Sequence, residues 1–307
     1  MEDRTKSTLN ELASKHLGQQ GSYAITTDKF DPSFLVPMPR SLAREDWGIK
    51  GNEFYGYDVW HCHEATFLLD NGMPVAGTLK IVYPSDSLFM VESKSFKLYL
   101  NTFDMCKMGP TFDSAIEAYE QQVADDISNV VQAPVKVYFH AINTFNIGDP
   151  AQYFVNLESL IGTERILQLD FSDYSAQQQH FRVIPEQGTN QQMAVFTNAL
   201  RSRCRHTKQK DTGAAYFLIT TKDARVDLES LLKEVVSLRE VNEFHEFCAE
   251  KLYKTITETE RVSECMVMLL YSRRGSLDIN PVRATDLDLI PVELINESTY
   301  TKKAMGQ

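Results

Sequence analysis

A cysteine inside a strongly basic stretch is the most chemically distinctive feature of the sequence. Residues 201–211 read RSRCRHTKQKD, so Cys204 has Arg203 and Arg205 as immediate neighbours. Nearby positive charge lowers the pKa of a thiol and raises the fraction of nucleophilic thiolate. Asp211 follows after a predicted turn and could donate or accept a proton. The stretch therefore indicates either a reactive thiol beside an acid or a partly buried, inert cysteine in a basic loop.

A second polar cluster lies in the first half of the chain, where residues 91–101 read VESKSFKLYLN. This pattern predicts the junction between a strand and a helix. Glu92 could accept two hydrogen bonds from a guanine-like edge, because a carboxylate pairs well with two parallel N–H donors. Lys94 and Lys97 could hold a phosphate group. The alternative is a solvated, charged junction capped by a serine.

A predicted helix at residues 242–257 begins with side chains that could contact one flat ligand. Phe244 could stack on a ring, while His245 and Glu246 point in different directions and could reach two of its edges. The same pattern also fits an amphipathic helix whose aromatic residues are buried and whose acids face solvent. Both interpretations remain open from spacing alone.

Paired arginines precede a glycine in residues 271–281, which read YSRRGSLDINP. Guanidinium groups beside a glycine turn suit a phosphate ligand, so Arg274 and Gly275 are candidate binding residues. A hairpin with an exposed basic tip is the alternative.

Two histidines on one predicted strand suggest a metal but do not complete a site. His61 and His63 share one face of the strand, and pairs of imidazoles can bind zinc. No third ligand is placed beside them by the sequence. We therefore predict two histidines on a half-buried strand and no metal site.

Composition bounds the class of protein. The 307 residues are 43% hydrophobic and 24% charged, enough for one large or two medium globular domains. A net charge of -11 disfavours direct binding to duplex nucleic acid. No stretch approaches the roughly 20 apolar residues that span a bilayer, and the polar residues 1–15 lack an apolar signal core and read as a frayed or capping segment. Five widely spaced cysteines suit reduced thiols, so we expect a cytoplasmic protein without a membrane partner.

The elements that must position these groups follow a similar order in each half. In the first half the pattern predicts a helix over 114–131 and strands over 57–69, 75–83 and 134–139. In the second half it predicts strands over 166–171, 192–199, 214–221 and 266–271, helices over 228–238 and 242–257, and a turn at 278–281 before a final polar strand. This order indicates an α+β fold with antiparallel sheets, helices on one face, and a boundary near 143–153. No dinucleotide-type Gly-rich loop is present, so a nicotinamide cofactor would bind without that motif.

Taken together, the four segments resemble the long, two-domain form of the NADPH-dependent 7-cyano-7-deazaguanine reductases, the nitrile reductases of the prequeuosine pathway. The resemblance spans residues 57–283, and its most specific part is the run ESKSFKLY at residues 92–99. The FHE run at 244–246 and the RRG run at 273–275, followed by DINP at 278–281, match in the same order.

The resemblance implies tandem tunnelling-fold (T-fold) domains. An N-terminal domain at 1–150 would carry the Glu-Ser-Lys signature, and a C-terminal domain at 151–307 would carry the nucleophilic cysteine. Each would be a small antiparallel sheet with two helices layered on one face. Active sites would form between domains, and the chains would pair into homodimers.

Site roles follow from the resemblance residue by residue. Cys204 matches the nucleophile that adds to the nitrile carbon to give a covalent thioimide, and Asp211 matches the proton donor. The base-binding positions, with Phe244 as the stacking ring, are matched by Val91, Glu92, Ser93, Phe244, His245 and Glu246. The positions that contact NADPH are matched by Ser93, Lys94, Arg274 and Gly275. Two hydride transfers would take the nitrile through an imine to the primary amine, in an enclosed site that protects the imine from water.

The loop around the cysteine departs from the family pattern. The departures are Arg203 in place of Asn, Arg205 in place of Pro, Lys210 and Thr212 in place of the Pro and Trp of a Pro-Asp-Trp-Gly run, and Ser276 in place of a second Gly. Cys204 and Asp211 keep the family's separation. We therefore expect the same chemistry, with altered rate or substrate breadth.

Three activities fit these residues. The first is NADPH-dependent reduction of the nitrile 7-cyano-7-deazaguanine to the amine 7-aminomethyl-7-deazaguanine, in the biosynthesis of queuosine or of another deazaguanine modification. The second is a relative that traps the same thioimide but adds ammonia to give an amidine. The third is a non-catalytic deazaguanine- or pterin-binding protein of the same fold. Retention of Lys94 and of the run at 273–275 favours the reductase, because an amidine-forming relative has no need of NADPH.

Overall fold

The computed structural model describes residues 29–50, 53–141, 147–175, 178–205 and 207–300. The polar segment at 1–15 that we expected to be frayed or capping lies outside the described residues, as do His206 of the basic stretch and part of the boundary expected near 143–153.

Strands and helices alternate along the described chain. The strands are β1 (Pro37–Pro39), β2 (Tyr55–Leu69), β3 (Pro74–Pro84), β4 (Phe89–Val91), β5 (Lys107–Gly109), β6 (Lys136–Ala141), β7 (Ile147–Gly148), β8 (Val155–Asn156), β9 (Val183–Pro185), β10 (Gln191–Arg203), β11 (Lys210–Thr221), β12 (Ala224–Val226), β13 (Val262–Tyr271), β14 (Leu277–Ala284) and β15 (Thr299–Tyr300). The α-helices are α1 (Arg40–Trp47), α2 (Ser93–Asn101), α3 (Phe112–Val131), α4 (Leu157–Ile161), α5 (Thr163–Ile166), α6 (Leu228–Ser237), α7 (His245–Thr257) and α8 (Val292–Ile295).

One largely antiparallel sheet of nine strands organises the described residues. Its strand order is β6-β3-β2-β14-β13-β11-β10-β8, and β5 pairs in parallel with β2. The pairing of β2 with β14 joins the two halves of the chain, with Asp278 opposite His61. Strands from both halves of the chain thus share one hydrogen-bonded sheet because β14 pairs with β2.

Side chains alternate between the two faces of this sheet, as the pleat requires. On β13, Leu269 and Tyr271 belong to the core beneath the helices, whereas Met268 and Leu270 belong to a second core on the opposite face. On β2, Trp60 likewise packs under the helices and Val59 on the other side. Each face of the sheet therefore has its own apolar layer.

Two helices cover the helix-side face in each half of the chain. In the first half they are α2 and α3, and in the second half α6 and α7. Helix α3 begins with a capping box, in which Thr111 and Ser114 exchange hydrogen bonds, and it buries a stripe from Ala115 to Val131. The stripe repeats every three to four residues, which is why this face packs on the sheet.

The opposite face is covered by the segment at 147–156 and by the chain after β14. Leu294 of α8 and Ala151 pack on this side. The buried Lys80 ammonium donates to the carbonyl oxygens of Ser298, at 2.8 Å, and of Glu293, at 3.2 Å. The last described residues are thereby fastened to β3.

A buried network of five charges ties the sheet to α1 and α7. Arg283 donates to Asp58 at 2.8 Å and to Glu250 at 2.9 Å, Arg44 forms a two-pronged pair with Glu250, and Arg40 pairs with Asp58. All five side chains are buried. Because removing one partner from such a network leaves an uncompensated buried charge, typically costing about 3–5 kcal/mol, these residues hold the two halves in register.

The structure confirms the α+β class but corrects two elements. No strand forms over 166–171. There the N–H groups of Leu167 and Leu169 bond to carbonyl oxygens three or four residues back, so a helix and a turn satisfy the backbone locally. The predicted turn at 278–281 is also wrong, because these residues lie inside β14, a mostly buried strand with polar side chains at Asp278, Asn280 and Arg283. The chain turns one step earlier, at Gly275 and Ser276, which both have positive φ.

The described helices include none with the length and apolar character needed to cross a lipid bilayer.

Candidate active site

A cavity of about 670 Å³ opens where the end of β10 and the start of β11 meet the starts of α2 and α7. All eleven residues that the sequence singled out line it: Val91, Glu92, Ser93, Lys94, Cys204, Asp211, Phe244, His245, Glu246, Arg274 and Gly275. They come from four segments spread over most of the chain. The fold therefore brings the candidate residues together in one place.

Cys204 lies just beyond the end of β10 and is half-buried. Its N–H donates to the carbonyl oxygen of Gln209 at 2.9 Å, which continues the antiparallel ladder with β11 by one step. Asp211 sits opposite Ser202 in that ladder. Cys204 and Asp211 are thus diagonal neighbours on one face, a relation that places Cα atoms about 7–8 Å apart.

The arginines beside Cys204 are both engaged by carboxylates. Arg203 pairs with Glu240 at 2.7 Å, and Arg205 pairs with Glu243 at 3.1 Å. Each positive charge is therefore offset by a negative one close by. This arrangement weakens the prediction that the two arginines activate the thiol through their charge alone, and it gives them a structural task instead.

Asp211 is only 3% exposed and receives two partners from the second half of the chain. Arg274 forms an ion pair with it, and His245 Nε2 lies 3.5 Å from Oδ2. Burial by itself would raise the pKa of Asp211, but the hydrogen bonds and charges of His245 and Arg274 outweigh it, so the pKa lies below its ordinary value. The carboxylate is consequently ionised at neutral pH.

Glu92 lies between β4 and α2, as the N-cap residue of the helix. Its two carboxylate oxygens accept hydrogen bonds from the N–H groups of Lys94, at 3.0 Å, and Ser95, at 2.7 Å. The helix cap expected from a serine is thus provided by Glu92. An ionised carboxylate has about four lone-pair directions, so two helix N–H groups leave room for further donors from the cavity.

The start of α7 contributes three residues with different surroundings. Phe244 precedes the first turn and borders the cavity. The His245 ring stacks on Tyr271, with centroids 3.6 Å apart and planes within 7°. His245 Nδ1 is buried and has no hydrogen-bond partner in the described part of the chain. A ligand in the cavity could satisfy this atom.

Glu246 is the most deeply buried acid of the cavity, at 2% exposed. Burial, and then the nearby charge of Asp58, raise its pKa to about 7, although His245 and Arg40 act in the opposite direction. At neutral pH the Glu246 carboxyl group is therefore close to half ionised when no ligand is bound.

The turn between β13 and β14 carries the basic side of the cavity. Arg274 donates to the side chain of Gln209 as well as to Asp211, while its carbonyl oxygen accepts from Lys97 Nζ at 2.8 Å. Gly275 has φ of +51°, and a Cβ there would come within 2.8 Å of Lys97 Nζ. A side chain at this position would be strained and would crowd the ammonium group.

His61 and His63 face one acid. His61 Nδ1 lies 2.8 Å from one oxygen of Asp278, and His63 Nε2 lies 2.6 Å from the other. Within the residues described, no group of three or more His, Cys, Asp or Glu side chains could hold a metal ion.

Several residues in and behind the cavity lining were missed by sequence reasoning. Tyr271, which stacks on His245 but does not line the cavity, belongs to an apolar strand whose pattern predicts only burial. Gln209 and Glu243 border the cavity because of how the β10–β11 hairpin meets α7. No local signal marks such residues, since their roles arise from contacts between distant segments.

Part of the chain matches a protein-family model. Residues 26–139 match the family model described as nitrile reductase, 7-cyano-7-deazaguanine-reductase N-term. The matched region includes Glu92 and Lys94 of the cavity, whereas Cys204 and Asp211 lie beyond it. The match covers 114 of the 307 residues and shows that this part of the chain is similar to that family.

Proposed function

We propose that the protein reduces the nitrile of 7-cyano-7-deazaguanine to the primary amine, with NADPH as reductant and Cys204 as nucleophile. The observation that carries the proposal is the convergence of eleven residues from four separate segments on one cavity. A thiol, an ionised acid, a stacking ring, buried carboxyl groups and cations lie around the same space. This is the set of groups that the proposed reaction needs.

The first step joins Cys204 to the substrate. Sγ adds to the nitrile carbon, a C–S bond forms, one π bond of the C≡N group breaks, and the nitrogen gains a proton, which gives a thioimide. The thiol proton leaves sulfur as the nitrogen takes one up, so no net proton is consumed. The ionised Asp211 can accept the proton from sulfur and then deliver it to nitrogen. In this scheme the proton donor is a carboxylate that the thiol has first protonated.

Residues suited to NADPH border the same cavity. Ser93, Lys94, Arg274 and Gly275 combine a hydroxyl, two cations and a glycine where a side chain would collide with Lys97. Cations and a bare backbone suit phosphate groups and close approach of a ligand. When bound, the cofactor would supply hydride. The chain's own residues would orient it and exclude water.

The deazaguanine ring would lie against Phe244 with its hydrogen-bonding edges toward carboxyl groups. Glu92 and Glu246 border the cavity from α2 and α7, and Val91 and Ser93 flank Glu92. A 2-aminopyrimidinone edge presents parallel N–H donors, which an ionised carboxylate accepts in pairs. His245 Nδ1 provides a further polar contact.

The buried Glu246 leads to a pH prediction. Because N–H donors favour the ionised form of a carboxyl group whose pKa is about 7, ligand affinity should rise as pH increases through 7. Between pH 6 and pH 8 we expect the affinity for the nitrile base, measured by calorimetry without NADPH, to increase about tenfold. Proton release should appear as a dependence of the binding heat on the buffer.

The matched variant is Glu246→Gln, which cannot titrate. Its affinity should be weaker and almost constant between pH 6 and pH 8. An affinity of the wild type that falls with pH would mean that a protonated Glu246 donates to the ligand, contrary to the proposed contact.

We further propose tandem T-fold domains at 1–150 and 151–307, in a cytoplasmic homodimer that does not bind nucleic acid directly. In support, each half contributes antiparallel strands with two helices on the same face. The outermost strands of the described sheet, β6 and β8, each pair with one neighbour in it. Such edges suit pairing with strands of a second chain.

The deciding experiment incubates the protein with 7-cyano-7-deazaguanine and follows NADPH absorbance together with the products. We expect two NADPH consumed for each primary amine formed, and no consumption without the nitrile. Formation of an amidine from ammonium without NADPH would instead identify an amidine-forming relative. Binding of the nitrile with neither product would identify a binding protein.

A further inference from the structure

The loop that carries Cys204 is held by contacts on both of its flanks. On the main chain, the N–H of Arg203 donates to the carbonyl oxygen of Val241 at 2.8 Å, and the N–H of Glu243 donates to that of Arg203 at 3.1 Å. The Arg203–Glu240 and Arg205–Glu243 ion pairs lie on either side of these bonds. Four interactions therefore connect the two residues that flank Cys204 to residues 240–243.

Residues 240–243 lead directly into the start of α7. Glu243 is followed by Phe244, His245 and Glu246, the residues that would hold the deazaguanine ring. The same contacts that fix the Cys204 loop thus fix its distance from the ring-binding residues. The rest of the hairpin end is supported by its own bonds, such as that from Lys208 N–H to the Cys204 carbonyl oxygen, and by the contacts of Arg274 with Gln209 and Asp211.

We propose that Arg203 and Arg205 are positioning residues that clamp the nucleophile loop to the segment before α7. This inference rests on the proposed role of Cys204. It assigns the two arginines a geometric task and not an electrostatic one, because each guanidinium is paired with a carboxylate. The Glu243 side chain is 12% exposed, whereas that of Glu240 is 47% exposed, so we expect solvent to screen the Arg205–Glu243 pair less than the Arg203–Glu240 pair.

A charge swap distinguishes a positioning role of Arg205 from an electrostatic one. Arg205→Glu and Glu243→Arg each leave two like charges facing one another, while the double variant R205E/E243R restores a pair of opposite sign. We expect each single variant to lower kcat by about ten- to a hundredfold, as small misplacements of reacting groups do, with little change in KM. The double variant should recover to within about threefold of the wild type.

Hydrogen–deuterium exchange tests the clamp without any substrate. The amides of Arg203 and Glu243 should exchange about tenfold faster in each single variant and return toward the wild-type rate in the swap. The control is the exposed Arg165–Glu229 pair, which lies away from the cavity. Its swap, R165E/E229R, and its single variants should leave exchange of the Cys204 loop unchanged.

The pH profile of iodoacetamide alkylation distinguishes a clamp from thiol activation by charge. Reversing one charge beside the thiol shifts its pKa by itself, so the comparison is between the wild type and the swap, in which the charges at 205 and 243 again offset each other. A clamp predicts the same pH of half-maximal rate in these two proteins. Activation by Arg205 predicts a higher pH in the swap, and that outcome overturns the proposal. Unchanged exchange in the single variants also overturns it. Because both readouts omit the nitrile, failure of the proposed reductase activity would be seen separately.

Discussion

Replacing Cys204 by alanine is expected to abolish the covalent adduct with the nitrile and to lower turnover by at least about a thousandfold. The physical reason is that the thioimide turns an unreactive triple bond into an electrophile, and no other described thiol can replace it. The other four cysteines, Cys62, Cys106, Cys248 and Cys265, are buried and do not border the cavity. Burial also raises the pKa of Cys62 to about 11 and of Cys248 to about 12, so these thiols are protonated at neutral pH.

Intact-mass measurement without NADPH gives the clearest readout. The wild type should gain the mass of one nitrile molecule, and Cys204→Ala should gain none. Cys106→Ala is the matched control, because it removes a buried thiol that lies outside the cavity. Its adduct should form as in the wild type. An adduct that persists in Cys204→Ala would reject Cys204 as the nucleophile.

The sequence predicts which residues form the site better than it predicts the contacts between them. Side-chain chemistry and order along the chain identified Cys204, Asp211 and Glu92 as candidates, and all three border one cavity. Sequence could not show that Glu92 caps a helix, because this depends on where α2 begins. It also could not show that Arg205 is paired with Glu243, since an ion pair between residues far apart requires the tertiary fold.

The errors in the fold have a similar origin. Long amphipathic elements such as α3 and β2 were predicted near their observed positions, because many residues contribute to one periodic signal. The short run at 166–171 carried too few residues for such a signal, and local helix and turn bonds prevailed. The DINP run at 278–281 has turn-forming residues, yet it lies at the centre of the sheet. There Asp278 accepts from His61 and His63, and Asn280 accepts from the N–H of Tyr271. Buried partners thus override local turn preference.

Asp211 is expected to show the second large effect, because two partners keep its carboxylate ionised. Arg274 and His245 hold the pKa of Asp211 below its usual value despite burial. The ionised Asp211 can first accept the proton from Cys204 and then deliver it to the nitrile nitrogen. We therefore expect Asp211→Asn to slow thioimide formation by about a hundred- to ten-thousandfold, the range associated with loss of a general acid–base group. Nitrile binding should change little, since the amide keeps the shape of the carboxylate.

Rapid-quench mass spectrometry can measure the rate of thioimide formation separately from the rate of reduction. In the wild type the adduct rate should fall as pH drops toward the lowered pKa of Asp211, because protonation removes the acceptor; the Asn variant should lack that dependence. Ser202→Ala is a suitable control, since Ser202 lies opposite Asp211 in the ladder but carries no ionisable group. If Asp211→Asn formed the adduct at the wild-type rate and failed only when NADPH was added, Asp211 would serve solely as a donor during reduction. The thiol proton would then have to leave by another route, and the shuttle between Sγ and the nitrile nitrogen would be ruled out.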